Sequence, residues 1–148
     1  MSEVPAQDYV EILNLYSQYN LCSDAGDGDG YADCFSSAGR LDVVTPGPTI
    51  SLTGRENFVA FKLREAGRRK HIYRRHWNGS IHLERMDDKT VIGRCYFLAY
   101  NGTPGKLPTI ADSGHYKDRI VKEATGWKFA HRHLMLDALS EAIATKSS

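Results

Sequence analysis

A change of hydrophobic period partway along the chain constrains its fold most. Up to about Gly67 apolar residues recur at helical spacing, whereas from Ile72 onward they alternate in runs long enough for extended strands. Over residues 8–22, Tyr9, Ile12, Leu13, Tyr16 and Tyr19 share one helical face. The glycine-rich "SDAGDGDGYADCF" breaks that pattern, and a short second helix is expected over 31–35. "GRLDVVTPGPTISL" reads as two short strands around a Pro-Gly turn. Thr53 and Glu56 have the spacing of a capping box and open a third helix, whose apolar positions Phe58, Phe61, Leu63 and Ala66 run to Gly67.

Four alternating segments follow, over 72–84, 90–101, 110–122 and 127–136. The connections "RMDDKT" and "KEATGW" are short and polar, as hairpins require, and "NGTPGKLP" is a longer loop. Helices followed by a meander make an α+β domain, with helices covering one face of a curved sheet. At 148 residues the chain is expected to be one domain, 1–148, with a core over about 8–136 and a tail over 137–148.

Composition excludes several classes. Nineteen Lys and Arg against eighteen Asp and Glu leave no global field to draw the chain onto nucleic acid or a membrane surface. The basic run from Arg64 to Arg75 straddles a helix end, where cations favour the dipole and face solvent. No stretch approaches the ~20 apolar residues of a membrane span, and the N-terminus lacks a basic leader. The three cysteines, Cys22, Cys34 and Cys95, are odd in number and lie in apolar segments, which suits buried thiols in a reducing, cytoplasmic setting. "DAGDGDG" lacks the Asp and Glu that a calcium loop needs at its first and twelfth positions, and His131-x-His133 has no accompanying metal motif. No metal or cofactor is expected.

Three polar residues remain that could work together. Tyr16, Asn20 and Asp24 are four residues apart on the first helix, so they deliver a carboxylate to the edge of the helix-sheet interface. On the first long strand Arg74, His76, Asn78 and Ser80 share one face by alternation, with Tyr73, Arg75, Trp77 and Ile81 on the other. An imidazole there suits a general base, and an Asp24 partner would orient it and raise its pKa from about 6.5. By the same counting Arg132 points away from Trp127, Phe129 and His131, either to stabilise an anion or to pair with Asp118. Each has a duller use, as a turn residue, a satisfied strand histidine or a salt bridge.

With those residues in hand, the chain resembles the SnoaL-like branch of the nuclear transport factor two-like superfamily over about 8–136, through "LYSQYNLCSD", "GRENF", "RRHWNGSI" and "GHYKDRIVKEATGWKFAHR". The resemblance implies a cone-shaped α+β barrel in which three N-terminal helices and a curved, mostly antiparallel sheet enclose a pocket. Its functional likeness is to scytalone dehydratase, bile-acid dehydratase and hexachlorocyclohexane dehydrochlorinase, which pair an Asp after the first helix with a His on the third strand. The latter two add an Arg on the last strand. By motif these are Asp24, His76 and Arg132, with Tyr19 at the position of the bile-acid enzyme's tyrosine. The expectation is a cofactor-independent lyase, dehydrating a largely apolar cyclic or polyketide-like molecule, with Asp24, His76 and Arg132 catalytic and Tyr19, Tyr16 and Asn78 binding substrate. An isomerase would use the same dyad, and a non-catalytic pocket protein would hold the pair apart. Aromatics on both sheet faces imply a homodimer or homotrimer.

Overall fold

The structure, a computed structural model, describes residues 3–139. Most of the expected tail therefore lies outside the described residues. Three helices, α1 (Ala6–Ala25), α2 (Gly28–Asp33) and α3 (Arg55–Arg68), accompany six strands: β1 (Phe35–Val44), β2 (Ile50–Thr53), β3 (Tyr73–Asp87), β4 (Thr90–Gly102), β5 (Thr109–Glu123) and β6 (Gly126–Leu136). The strands form one sheet in the order β2-β1-β6-β5-β4-β3, antiparallel except where β1 runs parallel to β6. This is the expected α+β arrangement, with helices packed on a curved, mostly antiparallel sheet. No described helix is long and apolar enough to cross a membrane.

Several boundaries differ from the periodicity, each for a local reason. Helix α1 runs through Asp24 to Ala25, because it ends only where Gly26 takes the left-handed conformation at φ 70°. Helix α2 starts earlier than expected, since Asp27 caps it by accepting from the Gly30 N–H at 2.9 Å. The Thr53 capping box does not form. Gly54 is the N-cap of α3, with no side-chain cap, and Thr53 belongs to β2.

Two extra residues in the sheet overturn the parity counting. In β3 the register shifts between Gly79 and His82, where Ser80 has φ 52°, so Ser80 is exposed and Ile81 turns inward onto the core. In β6, Arg119 pairs with His131 and Ile120 with Phe129, so Ala130 is the inserted residue. Arg132 thereby joins the inward face of Trp127 and Phe129 instead of opposing it.

That bulge places a guanidinium in the middle of the core. Arg132 is fully buried, and its Nε and Nη2 donate to the two carboxylate oxygens of Asp118 at 3.0 and 3.1 Å. Its plane lies against the rings of Tyr116, Tyr19 and Phe129, with the guanidinium carbon 3.7, 4.1 and 4.1 Å from their centroids. Tyr16, also buried, donates its hydroxyl to Asp118 at 2.6 Å. It passes over Gly93, the register partner of Asp118, where a Cβ would sit 2.3 Å from the hydroxyl.

Removing the Asp118 carboxylate leaves a buried cation uncompensated, so Asp118→Ala should lose roughly 3 to 5 kcal/mol of stability. Gly93→Ala keeps the pair but crowds the tyrosine, at a cost of about 1 to 3 kcal/mol. Urea unfolding followed by tryptophan fluorescence should reproduce that order, and the reverse order would disprove this account of the core.

Candidate active site

Helix α1 crosses β3 so that two residue pairs meet. Four helix residues advance about 6 Å and two strand residues about 6.6 Å, so Asn20 and Asp24 fall opposite Asn78 and His76. Asn20 Nδ2 donates to Asn78 Oδ1 at 2.8 Å. One turn later Asp24 takes the His76 backbone N–H on Oδ2 at 3.1 Å and the ring Nδ1 on Oδ1. Both side chains are about nine-tenths buried. An acidic residue in the last turn of a helix opposes the macrodipole, and α1 has no basic residue there to offset it. The two hydrogen bonds from His76 supply what the helix end lacks.

His76 lines a cavity of about 640 Å³ between α1, α3 and the concave face of the sheet. Its other ring nitrogen, Nε2, lies 3.4 Å from Arg74 Nε. An N–H donor at Nε2 and a carboxylate at Nδ1 assign the proton to Nδ1, so Nε2 carries the lone pair. Phe97 packs on the imidazole with centroids 5.5 Å apart. Arg74 is held from the far side by Asp112 at 2.5 Å and by Asn101 at 3.0 Å.

Of the other expected site residues, Tyr19 lines the cavity and shares a 2.8 Å hydrogen bond with the Tyr31 hydroxyl. Tyr16, Asn78, Asp24 and Arg132 do not line it. Tyr16 is committed to Asp118, and Asn78 to Asn20. Arg132 lies behind Tyr19 and Tyr116, with Nη1 lacking a hydrogen-bond partner among the described residues. The expectation that Asp24, His76 and Arg132 all line one cavity is thus corrected: the carboxylate stands behind the imidazole, and the guanidinium beneath the aromatic floor.

Residues that periodicity passed over complete the wall. On α3, Lys62 is buried, and its Nζ donates to Glu65 at 2.6 Å and to Ser23 Oγ at 2.9 Å. Burial works against the Glu65 charge, yet Lys62, Arg69 and Arg74 hold the carboxyl at about 2. Lys62 follows Phe58 by four residues, and a charge on the apolar stripe of a helix was the available signal. Among the described residues no cluster of His, Cys, Asp and Glu is disposed to hold a metal ion.

A profile described as the SnoaL-like domain matches residues 5–133. The chain belongs to the SnoaL-like family. Rv3472, a protein of unknown function from Mycobacterium tuberculosis, is 26% identical, with a TM-score of 0.76 over 93% of this chain and 76% of that one. ActVI-ORFA from Streptomyces coelicolor is 25% identical, with a TM-score of 0.76 over 87% and 96%. A protein from Novosphingobium aromaticivorans described as a candidate scytalone dehydratase shares the fold at 22% identity, with a TM-score of 0.71 over 88% and 84%. No curated protein matches the chain.

In this SnoaL-like site burial dominates the imidazole. It pushes the His76 pKa below its ordinary value; the Asp24 hydrogen bond and charge pull upward, and the Arg74 and Lys62 charges push down again. The upward shift expected from Asp24 alone is therefore reversed. A lowered pKa keeps the His76 ring neutral to a more acid pH than a free imidazole allows. Imidazole NMR titration should place the His76 midpoint below about 6.5, and Asp24→Asn should lower it further. A midpoint above that of a free histidine would show that the partner outweighs burial.

Proposed function

We propose that this SnoaL-like protein is a cofactor-independent lyase of the dehydratase type, acting on a hydroxylated cyclic or polyketide-like molecule held in the cavity. The observation that carries this reading is the His76–Asp24 pair, oriented at Nδ1 on the cavity wall, with Nε2 held only by the long 3.4 Å contact from Arg74, which a substrate would displace. Dehydratases and cyclases of the same family make such chemistry the first expectation, and a dehydratase description on a protein of the same fold is consistent with it.

In the proposed reaction His76 Nε2 takes a proton from a carbon beside a carbonyl, and the electron pair moves into the developing enolate. Asp24 stabilises the imidazolium that forms. The bond from the next carbon to its hydroxyl oxygen then breaks, and the departing oxygen takes the proton back from His76 as water. One group thus serves as base and acid, and the dyad returns to its starting state. An isomerisation would use the same dyad, with the proton returned to another carbon.

Arg132 acts here as a positioning residue, holding the Tyr19 and Tyr116 rings that line the cavity. Tyr16 and Asn78 orient α1. A second copy of the chain is proposed to cover the outer sheet face, where Trp77 and Tyr96 are 60% and 68% exposed. Ile81, turned inward, plays no part in that face.

The test is turnover in a screen of cyclic hydroxy ketones. His76→Ala and Asp24→Asn should each lower kcat by about 100- to 10,000-fold with binding retained, and the double variant should be scarcely worse than either single one. Turnover near wild type in His76→Ala would end the mechanism, whereas lost binding in both variants would favour a non-catalytic pocket. Sedimentation at tens of micromolar should show a dimer or trimer, about the range in which a functional interface holds; monomer alone would remove the proposed partner.

A further inference from the structure

The cavity is divided by chemistry. On one side β1, β2 and β6 present Leu41, Val43, Ile50, Leu134 and Leu136; on the other α3, its C-cap residue and β3 present Lys62, Arg68, Arg69 and Arg74. Only two carboxylates among the lining residues face those four cations, Glu65 and Asp112. A single oxygen of Glu65 serves both Lys62, at 2.6 Å, and Arg69, at 3.7 Å. Asp112 is taken by Arg74. Arg68, exposed at the rim, has no ion-pair partner among the described residues. Even with Asp24 counted behind His76, the wall keeps an excess of positive charge, in a protein whose net charge is only +1.

Cations packed together in a partly dry site repel one another. The charges of Arg69 and Arg74 add to burial in pulling the Lys62 pKa down. A ligand group that brought one negative charge to this wall would relieve that repulsion. The apolar side would meanwhile accept rings and offer nothing to a second charge.

We infer that the cavity takes a ring compound bearing one anionic oxygen group, a carboxylate or a phenolate, with its ring against β1 and β6 and its charge against Lys62, Arg68 and Arg69. This rests on the reading of the cavity as the ligand site, and names the ligand class for it; it does not depend on what reaction, if any, follows.

Two probes with one aromatic skeleton separate the contributions: anilinonaphthalene sulfonate, which is anionic, and N-phenyl-1-naphthylamine, which is neutral. Fluorescence titration of the full chain at low salt should show the anionic probe binding at least about tenfold more tightly, the scale of one charge-assisted hydrogen bond. Arg68→Glu, a change at an exposed rim position, should erase most of that preference while leaving the neutral probe unaffected. Ile50→Trp, which fills the apolar side from an edge strand, should weaken both and so show that they occupy this cavity. Equal affinities, or a preference that survives Arg68→Glu, would overturn the inference and leave the ligand cavity standing. Failure of both probes to bind would overturn it together with the ligand-site reading.

Discussion

The buried Asp118–Arg132 pair is the interaction on which the rest of the structure depends. Ion pairs in a core are weak sources of stability, because removing two charges from water costs several kcal/mol each. This one offsets that cost with two parallel hydrogen bonds, a third from Tyr16 and three aromatic faces against the guanidinium. What it supplies is position. Tyr16 must reach Asp118 over Gly93, which sets the rotation of α1 about its axis. Eight residues and about 12 Å further along the same helix, that rotation is what aims Asp24 at His76. The aromatic floor under the cavity is tied to the same pair, since Tyr19 and Tyr116 pack on Arg132.

Much of this was legible in the sequence, and what was not has specific causes. The fold class follows from the switch between helical and alternating period, which any helix-on-sheet domain must show. The Tyr16, Asn20 and Asp24 stripe was equally readable, because helical spacing fixes a shared face whatever lies opposite. Counting along strands failed at Ser80 and Ala130. Each is a bulge residue set by register with a neighbouring strand, and neither is a glycine that would advertise it. One inserted residue reverses every later side chain. It turned Ile81 inward and brought Arg132 onto the face of Phe129, where it meets Asp118. The salt bridge weighed for Arg132 was thus the arrangement reached, by a route that parity had ruled out.

The capping box failed for a related reason. Thr53 and Glu56 have the required spacing, but Thr53 is paired with Arg40 in the β1–β2 ladder, so its backbone is already extended within the sheet. A local motif gave way to a tertiary one. Asp24 shows the converse: a carboxylate at a helix C-terminus is locally unfavourable and is retained because His76 meets it twice. Places where a sequence breaks a local rule and the fold supplies the compensation are where function is most often found.

The electrostatics of the cavity follow from which side of a balance each group occupies. His76 and Glu65 are both buried and both face opposite charge, and both pKa values fall, yet Glu65 keeps its charge while His76 is driven toward its neutral form. Glu65 has Lys62 in contact and Arg69 and Arg74 nearby, so cations overcome its desolvation and keep it ionised. His76 has one carboxylate in contact but shares its surroundings with Arg74 and Lys62, which oppose a second positive charge, and burial prevails. The same basic wall therefore does two things. It adds to burial in keeping the imidazole neutral, and it leaves positive potential beside the ring, where negative charge would develop in the proposed proton abstraction.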